Sequence, residues 1–102
     1  MIVYNTTYNV SNDTAVTFIK WIRTRFIPYA IETGELKEPR LAHLMVENDG
    51  QSNSFSLQFV VENVDTLEKW YQKHGAELIA EMESKFAQKV VGFTTIMTIM
   101  DI

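Results

Sequence analysis

Residues 41–61 read LAHLMVENDGQSNSFSLQFVV, and this stretch decides the fold. Its second half alternates cleanly: Phe55, Leu57, Phe59 and Val61 face one way, and Ser54, Ser56 and Gln58 face the other. That is the period of a half-buried strand over Ser54 to Val61. In its first half His43 alternates with Ala42 and Leu44, which predicts a strand from about Leu41 to Glu47. Asn48, Asp49 and Gly50 supply turn chemistry between the two. The stretch is therefore an antiparallel hairpin.

Helices are predicted on both sides of it. Upstream, Ala15, Phe18, Ile19, Ile22 and Phe26 recur at i, i+3, i+4, i+7 and i+11, with Lys20, Arg23 and Thr24 on the wet side. Ser11, Asn12 and Asp13 offer N-cap side chains. Pro28 disfavours helical geometry at Ile27, so an end or kink is expected there, and Gly34 stops the short turn that follows. Downstream, Asp65 and Glu68 have the spacing of a capping box with Asp as the cap. Leu67, Trp70, Tyr71, His74 and Leu78 then repeat the same apolar stripe. Gly75 interrupts it and predicts a break, beyond which Ile79, Met82 and Phe86 carry a second helical piece onto the core.

The ends of the chain are strands. Ile2 to Val10 alternates Ile2, Tyr4, Tyr8 and Val10 against Asn5, Thr7 and Asn9, and Val90 to Met100 carries no charged residue. The order is β-α-β-β-α-β over a single domain, residues 1–102. This is the α+β, ferredoxin-like arrangement: a four-stranded antiparallel sheet with two helices on one face. Strands one and three take the centre and strands two and four the edges.

Bulk properties narrow the function classes. A chain of 102 residues with 46% hydrophobic content suits one core. It has no cysteine, which excludes disulfides, thiolate metal sites and a thiol nucleophile. A formal charge of −4 with no basic stripe argues against nucleic acid. No apolar run approaches a bilayer span and no signal-like segment precedes Ile2, so a cytoplasmic protein without membrane contact is expected.

The last strand carries the argument for a partner. Val91, Phe93, Met97 and Ile99 serve one face, while Val90, Ile96, Met100 and Ile102 are apolar on the other. An uncharged, two-sided apolar edge strand aggregates when bare, and a second copy of the chain is its simplest cover. A homodimer is expected, with Ile96, Thr98 and Met100 at its interface. The polar residues Asn5, Thr7, Ser56 and Gln58 would then line a space between the sheets. His43 joins them as the best available acid, base or ligand, weighed against a plain surface or interface role.

Ile2-Val3-Tyr4-Asn5, Trp21, Ile27-Pro28, Thr33-Gly34, Gln58 and Phe86 ahead of Phe93-Thr94-Thr95 resemble a bacterial family of short uncharacterised proteins. That family is labelled only as a domain of unknown function. It is similar to the dimeric α/β-barrel superfamily, in which two ferredoxin-like protomers pack sheet to sheet. The resemblance spans essentially the whole chain. Its pattern has histidines where this chain has Phe26 and Met82, and an arginine where it has Thr94. The enzyme reading that the resemblance implies therefore lacks its natural acid–base and anion-binding groups here.

The remaining candidates read more plainly. His74 sits on the apolar stripe, as a helix cap or a partner for a local carbonyl rather than a ligand. No metal-ligand spacing, phosphate loop or nucleophile elbow is present, and no cofactor is expected. Glu81 and Glu83 look solvated. Phe55 and Phe59 read as core, Trp70 likewise, and Trp21 as a helix edge or partner contact. The expectation is a dimer that binds a small molecule or partner at the sheet-to-sheet interface. A cofactor-independent small monooxygenase- or isomerase-like enzyme and a ligand-free scaffold are the alternatives.

Overall fold

The computed structural model describes residues 1–45 and 50–102. Strand β1 (Ile2–Ser11) leads into a helical rod made of α1 (Ala15–Trp21), a π-turn (Ile22–Phe26) and α2 (Ile27–Ala30). The hairpin strands β2 (Lys37–His43) and β3 (Ser52–Val61) follow. A second rod comprises α3 (Val64–Trp70), a π-turn (Tyr71–Gly75) and α4 (Ala76–Phe86), and the chain closes with β4 (Val90–Thr98). The sheet order is β2-β3-β1-β4, antiparallel throughout, so β1 and β3 are central as expected. The fold is ferredoxin-like α+β.

Register fixes which side chains share a face. Tyr4 lies opposite Phe59 and Ile96, and Thr6 opposite Leu57 and Thr94. Tyr8 lies opposite Phe55 and Gly92. These rows look toward the helices. The intervening rows place Gln58, Asn5 and Thr95 side by side, then Ser56, Thr7 and Phe93, on the open face. Phe18, Ile22, Leu57, Phe59, Trp70 and Leu78 are among the buried core side chains.

Both rods widen where a break was expected. Pro28 has no N–H to continue an α-helix. The chain answers one turn earlier, where the Ile27 N–H reaches back five residues to the Ile22 carbonyl. Helical geometry then survives at Ile27 and continues through Tyr29. At Gly75 the Ala76 N–H likewise reaches Tyr71 O. A Cβ at Gly75 would lie 2.9 Å from the rings of both Trp70 and Tyr71, so glycine there makes room for two aromatics rather than ending the helix. A π-turn absorbs one residue without losing the rod.

Several local expectations are corrected. The second rod is capped by Asn63, whose side chain accepts from Thr66 N at 2.9 Å, and Asp65 falls in the first turn. At the first rod Thr14 occupies the cap position without a side-chain cap bond. Trp21, 6% exposed, is core: its ring meets Phe26 and Phe86 edge-on at 5.7 and 5.6 Å. Strand β2 begins earlier than Leu41, with a bulge between Lys37 and Arg40 that accommodates Pro39 at the sheet edge. The predicted end of that strand at Val46 and Glu47, and the turn residues Asn48 and Asp49, lie outside the described residues.

Candidate functional site

The open face gathers Asn5, Thr7 and Ser56 in a hydrogen-bonded network, with Gln58 beside Asn5 in the register. Ser56 Oγ donates to Asn5 Oδ1 at 2.5 Å, and Asn5 Nδ2 donates to Thr7 Oγ1 at 3.3 Å. Next to it, Asn9 Nδ2 reaches Ser52 and Ser54. His43 is not part of this group. It pairs in register with Phe55, on the helix side, stacks on that ring at 5.0 Å and meets Asn53 Oδ1 at 3.2 Å. Pairing of Leu41, Ala42 and His43 with Leu57, Ser56 and Phe55 sets the phase of β2 and turns His43 away from the open face where it was expected.

Strand β4 keeps the expected two sets of residues but exchanges their faces. Ile96 pairs with Tyr4 and Thr98 with Ile2, so both lie on the helix side, and Met100 lies beyond the strand. The open face of β4 carries Val91, Phe93, Thr95 and Met97 instead. Val91 is 63% and Phe93 65% exposed. These two stand beside Asn9 and Thr7 in the register.

The protomer's own hollow is on the other side of the sheet. Between the second helical rod and strands β1 and β4 lies a cleft of about 230 Å³. Phe26, Trp70, Ile79 and Met82 give it apolar walls, and Tyr4, Thr6, Tyr8 and Thr94 bring hydroxyl-bearing side chains to it. Thr6 Oγ1 and Thr94 Oγ1 are 3.3 Å apart. Burial raises the Tyr8 phenol well above the ordinary tyrosine range and raises Tyr4 too, with the Thr6 hydroxyl opposing both shifts. At neutral pH these phenols stay protonated, so the cleft offers neutral donors rather than a base. A more open hollow adjoins it and shares Tyr4 and Thr94, with Leu67, Tyr71 and Ile96 as further walls.

Why this chain makes a cleft there follows from two glycines and one strand. Gly92 pairs with Tyr8, and a Cβ on it would come within 2.8 Å of the Tyr8 ring. The ring therefore lies flat against the β4 backbone. Gly75 receives Trp70 in the same way on the helix side. Phe26, Met82 and Thr94 all line this one cleft. The signal that could have found it was Thr6, a hydroxyl between two tyrosines in the core-facing phase of β1.

The other polar cluster fastens the two rods together. Arg25 Nε donates to Glu81 Oε2 at 2.9 Å, and Trp21 Nε1 donates to Glu81 Oε1 at 3.3 Å. Arg25 lies 4.4 Å over the Tyr29 ring, whose hydroxyl donates to Glu77. The bond from Arg25 pulls the Glu81 carboxyl below its ordinary value. Glu81 is thus a partly exposed tie between the rods rather than a free carboxylate. His74 is buried with its ring 4.5 Å from that of Tyr29. Among the described residues no group of three or more metal-ligating side chains comes together, and no helix is long and apolar enough to cross a membrane.

Solved structures share this architecture. A dimeric ferredoxin-like protein from an uncultured marine organism superposes with a TM-score of 0.71 at 12% identity, covering 99% of this chain and 96% of its own. A putative antibiotic biosynthesis monooxygenase from Deinococcus radiodurans gives 0.70 at 12%, covering 100% and 95%. An ethyl tert-butyl ether (EthD) family protein from Bacillus halodurans gives 0.70 at 9%, covering 98% and 100%. At these identities the likeness speaks for the fold alone. No curated protein sequence matches the chain. The model of the domain of unknown function DUF4286 matches residues 1–100, and the chain belongs to that family.

Proposed function

We propose that this protein binds a small molecule in the cleft beneath its second helical rod and works as a homodimer through the open face of its sheet. The convergence of Tyr4, Thr6, Tyr8 and Thr94 on one hollow with otherwise apolar walls carries the binding reading. Such a hollow with a few convergent polar groups is the usual form of a small-molecule site. The dimer rests on the exposed apolar strip of β4, which lies beside the hydrogen-bonded Asn5, Thr7 and Ser56 on the same face. The similarity to a dimeric ferredoxin-like protein points the same way.

A second reading is a cofactor-independent enzyme of the small monooxygenase or isomerase type. The protonated phenols favour it, because neutral donors in a cleft with largely apolar walls can stabilise an oxyanion as it forms. The cleft would shield the substrate from water. A ligand-free scaffold is what remains if neither holds.

Native mass spectrometry of gently purified protein tests the proposal. The expected result is twice the chain mass with a reproducible small adduct, and loss of the adduct in Thr94→Trp, which fills the hollow from an exposed strand position. A monomer without adduct would overturn the reading, and an adduct unaffected by Thr94→Trp would move the site elsewhere.

A further inference from the structure

Resting on that reading, we propose that the cleft selects an uncharged, largely apolar molecule of one or two fused rings, held through a hydrogen-bond acceptor, and rejects the anionic form of the same skeleton. Size sets the first limit. At roughly 30 Å³ per liquid water, the 230 Å³ of the cleft has room for about eight waters, below the usual span of drug-sized sites. The walls set the second. Trp70 spends its single N–H on the Ala30 carbonyl at 2.9 Å, so it presents only its ring face and edges to a ligand. Phe26, Ile79 and Met82 add no polar atom capable of a strong hydrogen bond.

Charge sets the third limit. Among the described residues that line the cleft there is no lysine, arginine or histidine, and the charged one is Glu83, which is exposed. An anion entering would give up water, pass a like charge and meet no cation. A ketone or ether oxygen faces no such obstacle. Thr6 Oγ1 and Thr94 Oγ1 lie 3.3 Å apart, and the Thr94 hydroxyl, on an exposed strand position, is the donor nearest the mouth for a carbonyl or ether oxygen. The buried phenols add donors that do not ionise near neutral pH.

Three matched probes test this by calorimetric titration of the intact protein: naphthalene, 2-acetylnaphthalene and 2-naphthoate. The ketone is expected to bind at least tenfold more tightly than the carboxylate. Thr94→Val, which keeps the shape and removes one hydroxyl, should bring the ketone toward the affinity of naphthalene. Glu83→Gln should narrow the gap between ketone and carboxylate. Carboxylate binding equal to or tighter than the ketone would overturn the selectivity while leaving the cleft as a binding site. No binding of any probe would overturn the cleft reading itself.

Discussion

The two edge strands of this sheet meet the same problem in opposite ways. Strand β2 carries Lys37, Glu38, Pro39 and Arg40 in succession, bends at a bulge, and holds Glu38 at a φ of 52°. Charge, proline and bulge are each devices that stop another strand from adding to an edge. Strand β4 has none of them. Its nine residues, VVGFTTIMT, include no charge, and large apolar side chains are exposed on both of its faces. One edge is closed by its own sequence, while the other is left in a form that needs a cover. In the proposed dimer the partner covers the β4 side of the open face, away from the charged β2 rim.

The largest expected effect breaks that asymmetry. Phe93→Lys together with Met97→Lys should convert the proposed dimer to a monomer in sedimentation equilibrium. Each such side chain contributes about 1.5–3 kcal/mol when buried and occurs twice in a symmetric pair, so even half of that weakens association by roughly a thousandfold. Ile96→Lys, on the helix side of the same strand, should leave the mass at twice the chain. If Ile96→Lys dissociates the dimer and the double variant does not, the partner sits over the other face.

That pair of variants also marks where sequence reading stopped. Strand order, the central positions of β1 and β3, and the two helical rods follow from periodicity, because Ala15 to Phe26 and Leu67 to Leu78 each keep one stripe for three turns. The faces of β2 and β4 did not follow. An apolar alternation on both faces leaves β4 without a phase of its own, and only its pairing with Tyr4 and Thr6 supplies one. In β2 the short run Ala42, His43, Leu44 has no phase of its own, and its pairing with β3 puts His43 against Phe55. The cleft was hidden for a further reason. It is built from residues that look like core, Tyr4, Tyr8 and Trp70, and becomes a hollow only because β4 carries Gly92 and stands clear of the helices.

A smaller effect sharpens the comparison from the closed edge. Glu38 sits in the left-handed region, where a side chain costs about 1 kcal/mol and glycine costs little. Glu38→Gly gives back part of that gain through the greater freedom of the unfolded chain. Net stabilisation of roughly 0.5 kcal/mol, or a few degrees in Tm, is expected in thermal unfolding. Assembly should not change, because Pro39, Lys37 and Arg40 still guard the edge. New association on losing this one carboxylate would mean that β2 is protected by charge rather than by proline and bulge.

Acid should separate the two regions with the least perturbation of all. From Val90 to Thr98 strand β4 has no ionisable side chain, so the proposed interface has nothing on that strand to titrate. The tie between the rods does titrate. Glu81 has its folded pKa lowered, chiefly by the hydrogen bond from Arg25, so the tie contributes fully above the carboxylate's unfolded value and is lost as pH falls through the lower folded one. Both partners are substantially exposed, with side-chain accessibilities of 41% and 33%, and solvent screening keeps the contribution under about 1 kcal/mol. Denaturant unfolding at fixed protein concentration should therefore show stability declining below about pH 4, with Glu81→Gln removing a small part of that slope. Dimer mass at pH 5 and pH 8 should be the same. A dimer that dissociates between those values would require a titrating group at the interface, and the cover over β4 would then have to reach the charged residues outside it.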